Sequence, residues 1–481
     1  MCGIAGYFGS NPPNDDTISK TLSIMRKRGP DNQSSKSISS GHCEVRLLHS
    51  RLSIIDLDTR SNQPFTIGTS SIVYNGEIYN YIELRKRLDD LNIKLITNSD
   101  TEILLNYYLL YGENCVEHFE GMWAFAIFDL KKHMLFLSRD RFAEKPLYYL
   151  KTTMGFYFAS ETSFLKSLSE KQLRVNKVHL IRNLVHGYKS LYKYGENYYK
   201  DVNELGYAQN LKVNADGISK PYRYWNPQYN IDLSMSLEDA IEGTKVHLNE
   251  SVRMRLRSDT PLAFCLSGGV DSASLVSIAA KIFNAKIETF SIIDKDERYN
   301  EYDNIMSTIK DIECNYNLLE INKKGALPRL KELIQYHDSP LPTISSYIYS
   351  LIAEAVNKKG FRVSLSGNSA DELFTGYYDH YLLHLNEMKQ HKDYHQHLKN
   401  WTEHVGGFIR NPFLKDPNLY QKKPSFRKHI FDRSNELKQF LREDFQEDYQ
   451  EVIFTENLLR NRMLNELFHE ATPVILNEND L

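Results

Sequence analysis

FCLSGGVDSASLV, residues 264–276, joins an apolar run to a helical pattern through a loop of glycine and serine. Leu275, Val276, Ile278 and Ala279 recur at helical spacing, so the stretch reads as a strand, a loop and the start of a helix. In that arrangement the N–H groups of the loop and the first helical turn converge on an anion, and the helix dipole reinforces them. No lysine follows the glycines, so this is not GxxxxGK[ST], and the glycine spacing is not GxGxxG. Ser267, Gly268, Gly269 and Ser272, flanked by Leu266 and Val270, are small enough to let a pyrophosphate lie against the backbone. Asp271 adds a carboxylate that does not bind phosphate directly. A Mg²⁺ ion between the two gives that acid a purpose.

The string SGGVDS, residues 267–272, resembles the pyrophosphate loop of ATP pyrophosphatases, enzymes that split ATP into AMP and pyrophosphate. The resemblance implies ATP as a substrate, contacted along Leu266, Ser267, Gly268, Gly269, Val270, Asp271 and Ser272. It also implies Mg²⁺ at Asp271.

A chain of 481 residues is too long for one ordinary core, so at least two domains are expected. Its 59 basic and 62 acidic residues nearly balance, which leaves no global field to favour nucleic acid or a membrane surface. Cys2, Cys43, Cys115, Cys265 and Cys314 are scattered, odd in number and without a CxxC pair. That usage argues for reduced thiols and against a disulfide framework or a zinc knuckle. The N-terminus lacks a secretory pattern, and no apolar run approaches membrane-spanning length. The expectation is a soluble, cytoplasmic protein.

The chain begins MCGIAG, with a thiol directly after the initiator. If Met1 is removed, Cys2 carries both a nucleophile and its own α-amine. An unperturbed α-amine has a pKa of about 7.7 to 8.0, so near neutral pH part of it is free to take the thiol proton. Downstream come RGPD (28–31), HSRLSIID (49–56), YNGEIYN (74–80) and NSDTE (98–102). GMWAFA (121–126), SRDRF (138–142), KPLYY (145–149) and FASE (158–161) follow. In order and spacing these resemble the class II glutamine amidotransferase domain. With the pyrophosphate loop added, nearly the whole chain is similar to the glutamine-hydrolysing asparagine synthetases.

The resemblance implies an α+β first domain, residues 1–225, with the N-terminal nucleophile fold: an αββα sandwich of two antiparallel sheets between helices. It implies a parallel-sheet α/β ATP-pyrophosphatase domain over residues 226–481. By position, Cys2 would attack a glutamine amide, and Asn75 and Gly76 would form the oxyanion hole. Arg51 would clamp the α-carboxylate, while Glu77 and Asp100 would hold the α-ammonium. Read singly, the same residues have plainer meanings. Arg51 suits a surface ion pair, Asn75-Gly76 a hairpin turn, and Asp100 a helix N-cap before Thr101. Ala143-Glu144 departs from the family, which often has glycine and an aliphatic residue there.

Residues 168–225 turn polar and tyrosine-rich and read as the last strands of the first domain and the crossover. An amphipathic helix over residues 237–257 follows, with Ala240, Ile241, Val246, Leu248 and Val252 as its expected core positions. Strands at 262–266 and 287–293, with a helix between, predict a βαβ unit. By resemblance Ile292 would lie against the adenine. FRVSLSGNSADELFTGY, residues 361–377, repeats the strand-to-helix pattern and would form a second wall of the crevice. Ser366 and Gly367 would touch ATP there, and Asp371 would join Asp271 at Mg²⁺. Asn368 stands where many relatives carry an acid.

His380, His384, His391, His395, His397 and His404 include two pairs four apart, a spacing that suits a metal, although a solvated helix face is the preferred reading. The helical run 458–470 is followed in relatives by further helices and a lysine-bearing segment that do not appear before Leu481.

The expected reaction is glutamine-dependent synthesis of asparagine from aspartate and ATP through an acyl-adenylate. The alternatives are another acceptor carboxylate, such as a sugar acid or peptide precursor, and a glutaminase or nucleotide-binding protein without synthetase turnover. Glutamine, aspartate and ATP are the expected partners, and the resemblance leaves room for a homodimer.

Overall fold

The computed structural model describes residues 1–192, 195–232, 234–321, 323–430, 434–443, 445–447 and 449–480. The chain divides into two compact units, one of residues 1–174, 200–367 and 476–481, the other of residues 175–199 and 368–475.

The first unit opens with β1 (Gly3–Gly9), β2 (Asn32–Ser40) and β3 (Cys43–Arg51), then β4 (Phe65–Ile67) and β5 (Ser70–Ile78). β6 (Gly121–Asp129), β7 (Met134–Arg139), β8 (Tyr148–Lys151) and β9 (Phe156–Ala159) follow. After the excursion through 175–199 come β10 (Val202–Glu204), β11 (Gln209–Asn214), β12 (Gly217–Ile218) and β13 (Tyr222–Arg223). These strands make two antiparallel sheets, ordered β10-β8-β9-β1-β3-β2 and β12-β11-β7-β6-β5-β4, with β13 paired to β11.

Alternation along the strands explains the layering. Ile4, Phe8, Val45 and Leu47 of one sheet pack on Val73, Ala124, Ala126, Phe128 and Leu137 of the other. The opposite face of the second sheet, through Ile72, Tyr74 and Ile78, meets Leu84, Leu88, Ile103 and Leu104 of the helices Tyr81–Asp90 and Asp100–Tyr111. The helices Asp15–Met25 and Thr162–Ser169 cover the outer face of the first sheet. The result is the expected αββα sandwich.

The same unit carries β14 (Leu262–Cys265), β15 (Glu288–Ile293), β16 (Asn315–Glu320) and β17 (Val363–Leu365), all parallel in the order β16-β15-β14-β17. Phe264, Leu266, Val276, Ala279, Ile305 and Ile309 form its core with the helices Val270–Lys281 and Tyr302–Ile312. This is the expected α/β part. The helix Leu237–Arg255 is present, opened by a capping box at Ser236 and Asp239, but four of its five expected core positions are corrected. Ile241 and Val246 are exposed, Ala240 and Leu248 half-buried, and only Val252 and Met254 of the helix are buried. Periodicity marked an apolar stripe, whereas the sheet core covers only the helix's last turns.

In the second unit Leu382, Leu383, Leu385, Trp401, Ile409, Leu414, Leu419 and Tyr420 form the core. The helices Tyr378–Glu387, Tyr394–His404 and Leu458–His469 belong to it. Residues 175–199, expected to stay with the first domain, cluster here instead. Among the described residues no helix is long and apolar enough to cross a membrane.

Candidate active site

The thiol of Cys2 lies just before β1, at the rim of the sandwich. Its Sγ lies 3.4 Å from the Leu52 N–H, which donates to it, and 3.6 Å from the Leu52 carbonyl. Burial pushes the thiol pKa up, against the Leu52 N–H, the Met1 amine, Arg51 and Arg28, which pull it down. Around it one pocket gathers Arg51, Asn75, Gly76, Glu77 and Asp100, all six glutamine-site residues expected from the sequence.

β5 supplies three of them, and the plain hairpin reading of Asn75-Gly76 is overturned: both sit mid-strand, opposite Ala124 and Trp123 of β6. Gly76 has φ 156°, and a Cβ there would meet the Met122 carbonyl and come within 2.8 Å of Trp123 Cα. Only glycine fits that approach. The Asn75 amide is buried, yet neither Nδ2 nor Oδ1 has a partner within the protein. A buried amide without partners is costly, and here it lines the pocket beside the thiol.

Asp100 is the first residue of its helix, and Ser99 is the cap, accepting from the Thr101 N–H. The Asp100 carboxylate instead accepts from Tyr74 Oη at 2.9 Å and the Ile78 N–H at 3.0 Å. Glu77 Oε1 is buried without a partner. Burial, then the charge of Asp100, pushes the Glu77 carboxyl up to about 8, and burial raises Asp100 as well. Two buried carboxyls with raised proton affinity form a site that favours a cation between them.

Arg51 is not a surface ion-pair residue. It is buried, and its guanidinium donates to the carbonyls of Ile55, Asp56 and Asp58 and to Asn62 Oδ1. Neutral oxygens leave its charge uncancelled, so it adds a positive field to the pocket. Sequence reading missed Gln63, whose Oε1 accepts from the Tyr74 N–H at 2.6 Å and whose Nε2 donates to Thr101 at 3.1 Å. It also missed Leu52. Neither has a local signal, since each acts through a fold contact.

In the parallel sheet the loop after β14 is shaped by its serines. Ser272 Oγ accepts from the Ser267 N–H at 3.0 Å and lies 2.8 Å from Ser267 Oγ, while Ser267 Oγ accepts from the Gly269 N–H at 3.2 Å. The Gly268 N–H donates to Glu301 Oε2 at 2.9 Å, so the loop already holds an oxyanion from its own chain. Leu266 is buried and Val270 exposed at the helix start, with Asp271 in the first turn. Ser366 and Gly367, just past β17, reach the same place: a Cβ on Gly367 would lie 2.8 Å from Ser272 N. Ile292 is half-buried near the end of β15, beside Leu319. Loop, helix N-terminus and the segment past β17 thus meet at the strand ends, where open α/β sheets bind ligands.

Asp371 belongs to the second unit, in the helix Ala370–Phe374, with its carboxylate packed where a side chain on Gly376 would be. Ser369 and Thr375 flank that helix at φ 69° and 70°, strained for non-glycine residues. Asn368 is half-buried.

The histidine face is not simply solvated. His380 is buried and lies 2.7 Å from Glu466, and His384 Nε2 lies 3.2 Å from His397 Nδ1. Asp379, His380 and Glu466 converge as metal ligands would. Arg462 already supplies the cation there, pairing with Glu451, Glu466, Glu470 and Asp379 at 2.8, 2.8, 2.6 and 3.4 Å.

A nucleophile sandwich with a thiol pocket, joined to a parallel sheet with an oxyanion-binding loop, defines a glutamine amidotransferase coupled to a nucleotide-handling part. Residues 1–225 match a family described as "Glutamine amidotransferase domain", and residues 244–473 one described as "Asparagine synthase". A putative glutamine-hydrolysing asparagine synthetase 2 of Methanocaldococcus jannaschii is 31% identical over 475 residues, covering 92% of this chain and 88% of that one. The chain belongs to the family of glutamine-hydrolysing asparagine synthetases. Asparagine synthetase 3 of Bacillus subtilis is 30% identical over 78% of this chain, which spans 63% of that relative's length. The amidase chyE of Penicillium rubens is 28% identical over 78% of the chain, which spans 59% of it.

Proposed function

We propose that this chain makes asparagine from aspartate, ATP and glutamine. The observation that carries the glutaminase half is the single pocket holding Cys2, the partnerless Asn75 amide and the Glu77–Asp100 pair. After removal of Met1, the α-amine of residue 2 takes the thiol proton and Sγ attacks the glutamine amide carbon. The oxyanion falls to Asn75 Nδ2 and the Gly76 N–H. The proton returns to the leaving ammonia, and water releases glutamate from the thioester. Arg51 favours the substrate carboxylate and Glu77 with Asp100 its ammonium. Both supports are charge arguments, and they match a free amino acid.

In the second half, a carboxylate is a poor electrophile until adenylated. Aspartate attacks the α-phosphate of ATP, pyrophosphate leaves, and ammonia displaces AMP. The loop residues 266–272 with Ile292, Ser366 and Gly367 hold the nucleotide, supported by the oxyanion that Gly268 already binds. Asp271 offers a carboxylate in the first helical turn, beside the loop, of the kind a Mg²⁺ ligand needs, and Asp371 keeps the role that the resemblance gives it. When bound, Mg²⁺ supplies charge to offset the departing pyrophosphate. The domain boundary near residue 225, a cytoplasmic setting and a homodimeric assembly belong to the same proposal.

Asn368, where many relatives carry an acid, keeps a second acceptor in play, such as a sugar acid or a peptide precursor. The test is pyrophosphate release from ATP and Mg²⁺ with ammonium supplied, with and without aspartate. Release that requires aspartate supports the reading. Release with another acid alone shifts the acceptor, and none with any acid refutes the synthetase half.

A further inference from the structure

The last described residues of the chain lie beside the nucleophile. Residues 476–480 belong to the first unit, and Asp480 is buried there between two cations. Its Oδ2 lies 2.6 Å from Arg28 Nη2 and its Oδ1 2.9 Å from Lys145 Nζ. Arg28 in turn donates from Nε to the Cys2 carbonyl at 2.8 Å and from Nη1 to Glu161 at 3.2 Å. One guanidinium therefore ties the main chain of the nucleophile to Glu161 and to the far end of the sequence. Glu478 fixes that end, accepting from Thr343 Oγ1 at 2.7 Å and Ser346 Oγ at 2.6 Å.

We propose that Asp480 is a positioning residue for the glutaminase reaction, acting through Arg28 and Lys145 on the main chain and α-amine of Cys2. This rests on the reading of Cys2 as the nucleophile. The argument is one of charge and geometry. Arg28 and Lys145 are buried cations, and Glu161 and Asp480 are the acids that balance them. With both acids present Arg28 is fixed in direction, so the Cys2 carbonyl is held at one angle. Without Asp480, Arg28 and Lys145 lose the acid they share, and their field disfavours the protonated form of the N-terminal amine. The amine of Met1 already responds to this group: burial and Arg28 bring it down to about 6, while Asp480 acts in the opposite direction. The charged and titratable groups around the nucleophile are Arg28, Lys145, Arg51, Glu77, Glu161 and Asp480, with Asp100, Glu144, Tyr148, Tyr336 and His337 behind them.

The test uses the full chain with Met1 removed, comparing wild type, Asp480→Asn and Asp480→Glu. Glutaminase kcat/KM is followed against pH, together with the rate at which iodoacetamide alkylates Cys2, read on the N-terminal peptide by mass spectrometry. Asp480→Asn is expected to lower glutaminase kcat about tenfold, with KM for glutamine little changed. It is also expected to move the acidic limb of both profiles to lower pH, since loss of an anion disfavours the protonated amine. Asp480→Glu, which keeps the charge, is expected to recover most of both. A profile in Asp480→Asn that superimposes on wild type overturns the proposal. So does a loss shared equally by ammonium-dependent pyrophosphate release with an unmoved limb, which marks a merely structural ion pair. If wild type hydrolyses no glutamine, the glutaminase reading fails, while the alkylation profile still decides for or against Asp480.

Discussion

Replacing Glu77 by glutamine is expected to stabilise the empty glutaminase domain, and to do so more strongly as pH rises. The side chain is buried, its Oε1 lacks a partner, and burial with the nearby Asp100 charge pushes its pKa from 4.5 up to about 8. Because folding raises this pKa, the folded state favours the protonated acid. The contribution is intact below about pH 4.5 and is lost as pH rises through about 8. Converted at about 1.4 kcal/mol per tenfold change in proton affinity, the full span is worth up to about 5 kcal/mol. Glutamine copies the shape of the protonated acid, so the variant and wild type should match near pH 5 and diverge by several kcal/mol near pH 9. Saturating glutamine reverses the comparison, because its α-ammonium stabilises the ionised Glu77 and not the amide. The assay is hydrogen exchange at the β5 amides of Tyr74 and Ile78, at both pH values, with and without glutamine. A difference independent of pH, or an equal gain from glutamine in both proteins, would refute the cation-site argument.

Asn75→Ala should lower glutaminase kcat by about 10² to 10³ with KM within a few-fold, since it removes an oxyanion donor and not a ground-state contact; an effect on KM alone would contradict this. Glu301→Ala should lower the KM for ATP about three- to tenfold, because it takes the competing carboxylate off the Gly268 N–H. Initial rates of pyrophosphate release at varied ATP check it, and a raised KM would show that Glu301 helps hold the nucleotide instead. Gly376→Ala puts a methyl group into the Asp371 carboxylate, so pyrophosphate release should fall at least tenfold while glutamine hydrolysis is unchanged. Equal losses in both assays would mean global damage.

What the sequence showed and what it hid divide along a physical line. The sandwich was legible because its strands alternate and its motifs are local, and even so Asn75-Gly76 had two meanings. A hairpin is the commonest use of that pair, but Ile72, Tyr74 and Ile78 pack on one face of β5 and Val73 on the other, so the alternation carries the chain straight through. The positive φ of Gly76 then serves a close strand approach instead of a turn. Asp100 illustrates the next level. Its position before a helical run suits a cap, but Ser99 takes that work, and the Asp100 carboxylate reaches Tyr74 and Ile78, more than twenty residues away. No window of sequence contains that choice. The helix Leu237–Arg255 fails in the opposite sense, since its stripe is real but only its last turns find a sheet core to cover them. Arg462 and Asp480 are hidden most completely. Each is a charged residue in an ordinary helical stretch, and each is buried because the fold brings opposite charges from distant segments to meet it. Buried charge is the property that residue patterns encode least, because one partner read alone looks like surface. It is also the property that surrounds the Cys2 thiol, with Arg28 bonded to the Cys2 carbonyl and Glu77 and Asp100 buried in the pocket that Cys2 lines.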